Sequence, residues 1–102
     1  MLFFIHCVFD PERLDQVQEL RDSHLAYIDQ QRAKITYGGL LQSTAGGLDG
    51  ICYFLDANSR EAARKFAATD PYGSLYSHIT AQHFEQRIPA PDNLPTERKT
   101  AG

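Results

Sequence analysis

His24 and Asp70 are the two residues whose types and settings could do proton chemistry. The histidine lies in RDSHLAYI, with Leu20 and Ile28 four residues to either side, on the apolar stripe of a helix. An imidazole placed there needs a partner for each ring nitrogen turned away from water. The aspartate lies in AATDPY, where the proline after it pushes it out of helical geometry and stops the helix. Taken singly, each has a plain structural role: a core histidine bonded to a backbone carbonyl, and an N-cap for the amides beyond Pro71. Taken together they make an acid-base pair. One carboxylate oxygen caps the amides while the other receives a proton from His24, so capping and pairing are compatible. Such a pair moves protons without a cofactor.

Several elements must bring these residues together. LFFIHCVF, residues 2–9, is apolar at both parities and reads as a strand covered on both faces. Asp10-Pro11 supplies an N-cap and a first-turn proline, and Leu14, Val17, Leu20, His24 and Ile28 carry one helix face to an end near Lys34. ITYGGLLQSTAGGLDGICYFLDA holds two strands around a glycine-rich connection. Gly46-Gly47 and Asp49-Gly50 have turn chemistry, and Gly38-Gly39 permits a bend or a close approach. Asn58 to Glu61 is a variant capping box for a second helix, packed through Ala62, Ala63, Phe66 and Ala67. ITAQHFEQRI reads as the last strand.

The order strand, helix, strand, strand, helix, strand is the split β-α-β unit of an α+β, ferredoxin-like fold, with both helices on one face of an antiparallel sheet. In that arrangement the first helix lies beside the end of the second, so His24 can face the Asp-Pro break. The other sheet face is left open although strands one and three are apolar there. A second copy is the expected cover, giving a homodimer. Strands one and three are expected to run parallel and adjacent, with Cys7 late in one and Cys52 early in the other, a poor geometry for a disulfide.

Composition bounds the partners. The 102 residues are enough for one domain, and 42% hydrophobic with 23% charged content is ordinary for a globular chain. The domain is expected over residues 1–88, with 89–102, carrying three prolines, as a mobile extension or a strap across a partner. No apolar run reaches the ~20 residues of a bilayer span, and the N-terminus lacks the basic flank of a signal peptide, so a cytoplasmic location is expected and a membrane is not. Net charge is −3 and the basic residues do not cluster, which argues against nucleic acid. The two cysteines, lacking CxxC spacing, read as buried reduced thiols. With no HxH, HExxH or His-Cys cluster, no metal site is expected; with no dinucleotide fingerprint, no cofactor either.

Other polar residues carry weaker signals. His6 shares a strand face with Phe4 and Val8 and could line a pocket near the helix, or be a satisfied core histidine. His78 and His83 straddle the start of the last strand. Tyr27 and Tyr72 read as packing residues with exposed hydroxyls, Tyr72 standing next to the proposed acid.

IHCVFD, RDSHLAYI, YGGLL and AATDPY, in that order and spacing, resemble the YCII family over residues 2 to about 88. The resemblance implies a dimeric α+β barrel related to muconolactone isomerase. It also implies a shared His-Asp pair, matched here by His24 of the Arg-x-x-His-Leu stretch and Asp70 of Asp-Pro-Tyr. His6, Arg21 and Tyr72 are then the expected substrate-binding residues. The best-defined chemistry of the family is dehydrochlorination of a chlorinated hydroxyhydroquinone, a cofactor-free lyase reaction on a small hydroxylated aromatic. A muconolactone-isomerase-like proton transfer, or a dimer that only binds a small ligand, is the alternative. The chain differs from the usual family pattern in a shorter GSLYSH stretch, a Gly-Gly where Gly-Pro is frequent, and a longer tail.

Overall fold

Strand β1 (Leu2–Phe9) alternates half-buried and buried residues along its whole length. A computed structural model describes residues 1–91; the expected tail thus lies almost wholly outside the described residues. The chain continues through a 3-10 turn (Pro11–Gln16), helix α1 (Val17–Gln30) and a second 3-10 turn (Arg32–Lys34) into β2 (Ile35–Gln42) and β3 (Leu48–Asp56). Helix α2 (Arg60–Thr69), a third 3-10 turn (Pro71–Leu75) and β4 (Tyr76–His83) complete the order. The four strands form one antiparallel sheet in the order β2-β3-β1-β4. This is the ferredoxin-like α+β arrangement that the sequence predicts.

The expected parallel pairing of β1 and β3 is wrong. They pair antiparallel, with Ile5 opposite Tyr53 and Cys7 opposite Ile51. The reason is topological. Helix α1 returns the chain so that β2 runs in the direction of β1, and the β2-β3 hairpin then reverses it. Cys52 stands opposite His6, one position from the Cys7 partner, so the two thiols face opposite sides of the sheet. Both are free, with Cys7 buried and Cys52 only partly so.

Turn chemistry sits at one of the two expected places. Gly46 adopts a φ of 83° in the hairpin turn, where the Gly47 amide donates to Ser43 Oγ at 3.0 Å. Asp49-Gly50 is not a turn but part of β3. Gly50 is required there because a Cβ would stand 2.0 Å from the Cys7 carbonyl oxygen. The α2 cap also differs by one residue: Ser59, not Asn58, accepts the Ala62 amide at 3.0 Å, so no capping box with Glu61 forms. β4 begins at Tyr76 and ends at His83, placing His78 inside the strand rather than before it.

The core lies between the sheet and its helices. Phe3, Ile5, Cys7 and Phe9 of β1 meet Ile51, Tyr53 and Leu55 of β3, Ala63 and Ala67 of α2, and Tyr72 and Leu75. Helix α1 buries no residue fully; its Val17 and Leu20, with Leu14 of the preceding 3-10 turn, only lean on this core. On the reverse face Phe4, His6, Val8, Cys52 and Phe54 stay half-buried.

Burial also sets an alkaline limit. It pushes the Cys7 thiol up from 9.0 to about 12, and raises the Tyr53 and Tyr76 hydroxyls from 10.0. The Tyr76 hydroxyl lies beside the Cys7 thiol without the geometry of a full hydrogen bond, and the Tyr53 hydroxyl has no partner among the described residues. Above pH 9 the unfolded chain releases these protons while the native chain keeps them. The unfolded state then binds fewer protons, so stability falls as pH rises. Between about pH 9 and 12 the denaturant midpoint should drop steadily, with about 1.4 kcal/mol lost per pH unit for each group held neutral. Equilibrium unfolding across that range checks this, and Cys7→Ala should flatten the slope.

Candidate active site

Asp70 owes its position to Pro71. Its φ of −51° and ψ of 141° end α2 and open the Pro71–Leu75 turn in one residue. Its Oδ1 accepts the Tyr72 amide at 2.8 Å, and its carbonyl accepts the Gly73 amide at 2.6 Å. The expected cap is present. So is the pair: His24 Nδ1 lies 2.8 Å from both Oδ1 and Oδ2 of Asp70.

Two further contacts hold the pair. The Tyr27 hydroxyl, one turn beyond His24, donates to the Phe66 carbonyl at 2.9 Å and fastens α1 to the last turn of α2. The Tyr72 ring lies flat on the His24 imidazole, with centroids 4.0 Å apart and planes 9° from parallel. The Asp70 side chain is completely shielded and that of His24 is 12% exposed. A buried carboxylate is an acceptor only, so Nδ1 carries the hydrogen between them. That leaves Nε2 as the free, basic nitrogen.

His24 also lines a cleft of about 190 Å³ between α1 and the β2-β3 hairpin. Ile28, Ile35, Leu40, Ile51 and Tyr53 supply most of its side-chain wall, and Gly38-Gly39 contributes bare backbone. The space suits one planar ring, in a wall that is almost wholly apolar. The arrangement can take a proton from a small ring substrate and return it.

The other expected site residues do not meet in this cleft. His6 is on the reverse face of the sheet, beside Val8 and near Ser77 and His78 in a separate depression. His6 does line a depression beside the first helical segment, with Pro11 and Leu14, but strand parity turns position 6 away from Ile5 and Cys7 and so away from the His24 cleft. Tyr72 is 4% exposed, and the expectation of an exposed, substrate-facing hydroxyl fails: the ring is packed behind His24. Burial raises its hydroxyl pKa, with the Arg21 charge pulling the other way. Arg21 itself is exposed, one turn before His24, and does not line the cleft. Tyr27 is also less exposed than expected, its hydroxyl committed to Phe66. His78 Nδ1 lies 2.9 Å from Ser77 Oγ, and the His83 ring lies 5.7 Å from that of Phe3. The cleft residues Ile35, Leu40 and Tyr53 were not anticipated; the one sequence signal near them was Gly38-Gly39. Among the described residues no three His, Cys, Asp or Glu side chains gather as a metal site would require. Among the described residues no helix is long and apolar enough to cross a membrane.

No curated protein matches the chain. Among solved structures the chain is similar to 5-chloro-2-hydroxyhydroquinone dehydrochlorinase TftG from Burkholderia phenoliruptrix in complex with 2,5-dihydroxybenzoquinone. Identity is 23%, the TM-score 0.78, and the match covers 89% of this chain and 100% of that one. A Nitrosomonas europaea structure, assigned as an antibiotic biosynthesis monooxygenase, matches at 10% identity and TM-score 0.50, over 88% of this chain and 92% of that one. At these identities the likenesses establish the fold. The YCII-related domain matches residues 1–86, and with most of its length so matched the chain belongs to the YCII-related family.

Proposed function

We propose that this protein is a cofactor-free His-Asp acid-base enzyme, a lyase that eliminates HCl from a chlorinated hydroxyhydroquinone. The supporting observation is His24 Nδ1 at 2.8 Å from both Asp70 oxygens, with the imidazole lining an apolar cleft of one-ring size. The family membership and the likeness to a dehydrochlorinase agree with this reading.

The chemistry needs only proton movement. Nε2 of His24 takes the proton of a ring hydroxyl, and the oxygen electron pair forms a carbonyl. The displaced ring electrons take up a proton at the carbon bearing chlorine, giving the keto tautomer. A second hydroxyl then gives up its proton, its electrons move inward, and chloride leaves with the C–Cl pair. The net change is loss of HCl and formation of a quinone, with no external oxidant. Asp70 holds the Nδ1–H tautomer and favours the imidazolium that forms after each abstraction.

The same reading includes a homodimer closed over the reverse sheet face and a cytoplasmic setting in which both thiols stay reduced. Incubation of chelator-treated protein with 5-chloro-2-hydroxyhydroquinone should release one chloride per substrate consumed, with quinone absorbance rising in step. Substrate loss without chloride would point instead to an isomerase, and saturable binding without loss to a ligand-binding dimer. Loss of turnover on chelation, restored by a divalent ion, would overturn the acid-base mechanism.

A further inference from the structure

We infer that Tyr72 is a positioning residue for the His24 base, setting both its plane and its basicity. The inference rests on the acid-base reading above but is tested on the imidazole itself. A bidentate contact at one ring edge fixes Nδ1 and still allows the imidazole to swing about the axis joining it to the carboxylate. The Tyr72 ring, 4.0 Å away and 9° from parallel, removes that freedom. The same residue donates its amide to Asp70 Oδ1 at 2.8 Å, so one side chain and its own backbone brace both partners. Phe9 meets the Tyr72 ring edge-on, with centroids 5.5 Å apart, and supports it from the sheet side.

The stack also acts on charge. A cation over the face of an electron-rich ring is stabilised, the more so when water is excluded, and Tyr72 is 4% exposed. The imidazolium formed in each catalytic cycle is such a cation. Tyr72 therefore adds to Asp70 in favouring the protonated form, through a contact that neutral imidazole feels only weakly.

Other groups around His24 bound the effect. Asp70 and Tyr72 face it from the Asp70–Leu75 segment, and Tyr53 shares its cleft from β3. On α1 itself stand Arg21, whose charge reaches Tyr72, and Tyr27, which senses Asp70. Cys7 and Tyr76 lie behind, each within electrostatic reach of Asp70. Arg21 alone among these is a standing cation, and it opposes imidazolium. Burial holds these tyrosines and the Cys7 thiol neutral through the range in which an imidazole titrates.

NMR titration of His24 in the intact protein tests this without any substrate. Tyr72→Phe keeps the ring and should leave the imidazole pKa nearly unchanged. Tyr72→Leu removes the ring face and should lower it by about 0.5 to 1 pH unit. Should the leucine variant fail to fold, Tyr72→pentafluorophenylalanine keeps the shape but reverses the ring's charge pattern, and should lower the pKa at least as far. Where turnover is measurable, the acidic limb of the pH-rate profile should move by the same amount. An imidazole pKa identical in the tyrosine and pentafluorophenylalanine proteins would reduce Tyr72 to packing and overturn the inference. A shifted pKa in a protein without dehydrochlorinase activity would leave the inference standing and refute the proposed reaction instead.

Discussion

Asp70→Asn is expected to lower turnover by about 10²- to 10⁴-fold while the fold persists. The cap survives because an asparagine Oδ1 accepts the Tyr72 amide as the aspartate does. What changes is the edge facing His24. The side-chain amide presents a donor where a carboxylate oxygen stood 2.8 Å from Nδ1. Nδ1 must then accept, the hydrogen moves to Nε2, and the nitrogen that should act as base is already protonated. The negative charge that favours imidazolium is lost as well. His24→Ala should fall at least as far. The double variant should be little worse than the worse single one, because the two residues act as a unit. His24→Ala also strands a fully shielded carboxylate without its partner. A melting curve must therefore accompany each rate. Near-normal turnover in Asp70→Asn would return Asp70 to a capping role alone.

The 11.5 kDa chain is expected to sediment at twice that mass at micromolar concentration. The reason is the reverse sheet face, where Phe54 lies 5.3 Å from Phe4, 5.3 Å from Tyr37 and 4.6 Å from Phe84 between ring centroids. Tyr37 is 68% exposed in the single chain, and Phe4, His6, Val8 and Cys52 are only half-covered. Four aromatic rings with an aliphatic fringe form a contiguous patch of the kind monomers seldom leave in water. Two-fold pairing would place Phe54 in the interface twice. Phe54→Glu would then forfeit about 1.5 to 3 kcal/mol of burial per protomer, or roughly a 10²- to 10⁴-fold weaker dimer. Sedimentation of both proteins, with circular dichroism to confirm that the variant folds, measures this. A wild-type chain that is folded and monomeric at these concentrations would refute the dimer. Alkylation offers a second readout, since Cys52 on that face should react faster in the Phe54→Glu protein.

Local chemistry determined a good part of this protein without tertiary information. Element order was legible from periodicity, because an eight-residue apolar strand and a helix stripe at three- and four-residue steps are local patterns. The break at Asp70 was legible because proline restricts the residue before it whatever surrounds the chain. The His24–Asp70 pair followed from those elements once the split β-α-β order set the first helix beside the end of the second. Other features depend on where distant backbones approach. Strand direction between β1 and β3 is decided by the path through α1 and the hairpin, not by the content of either strand. Gly50 looks like a turn residue in sequence, and only the passing Cys7 carbonyl shows why it must lack a side chain. His6 and His24 could share a pocket on paper, yet strand parity sends them to opposite faces of the sheet. Tyr72 reads as a tyrosine beside an acid; its role depends on a ring stack formed by two segments 48 positions apart, counting from 24 to 72. The cleft depends on Leu40, Ile51 and Tyr53 coming opposite Ile28, a long-range juxtaposition that no local spacing encodes.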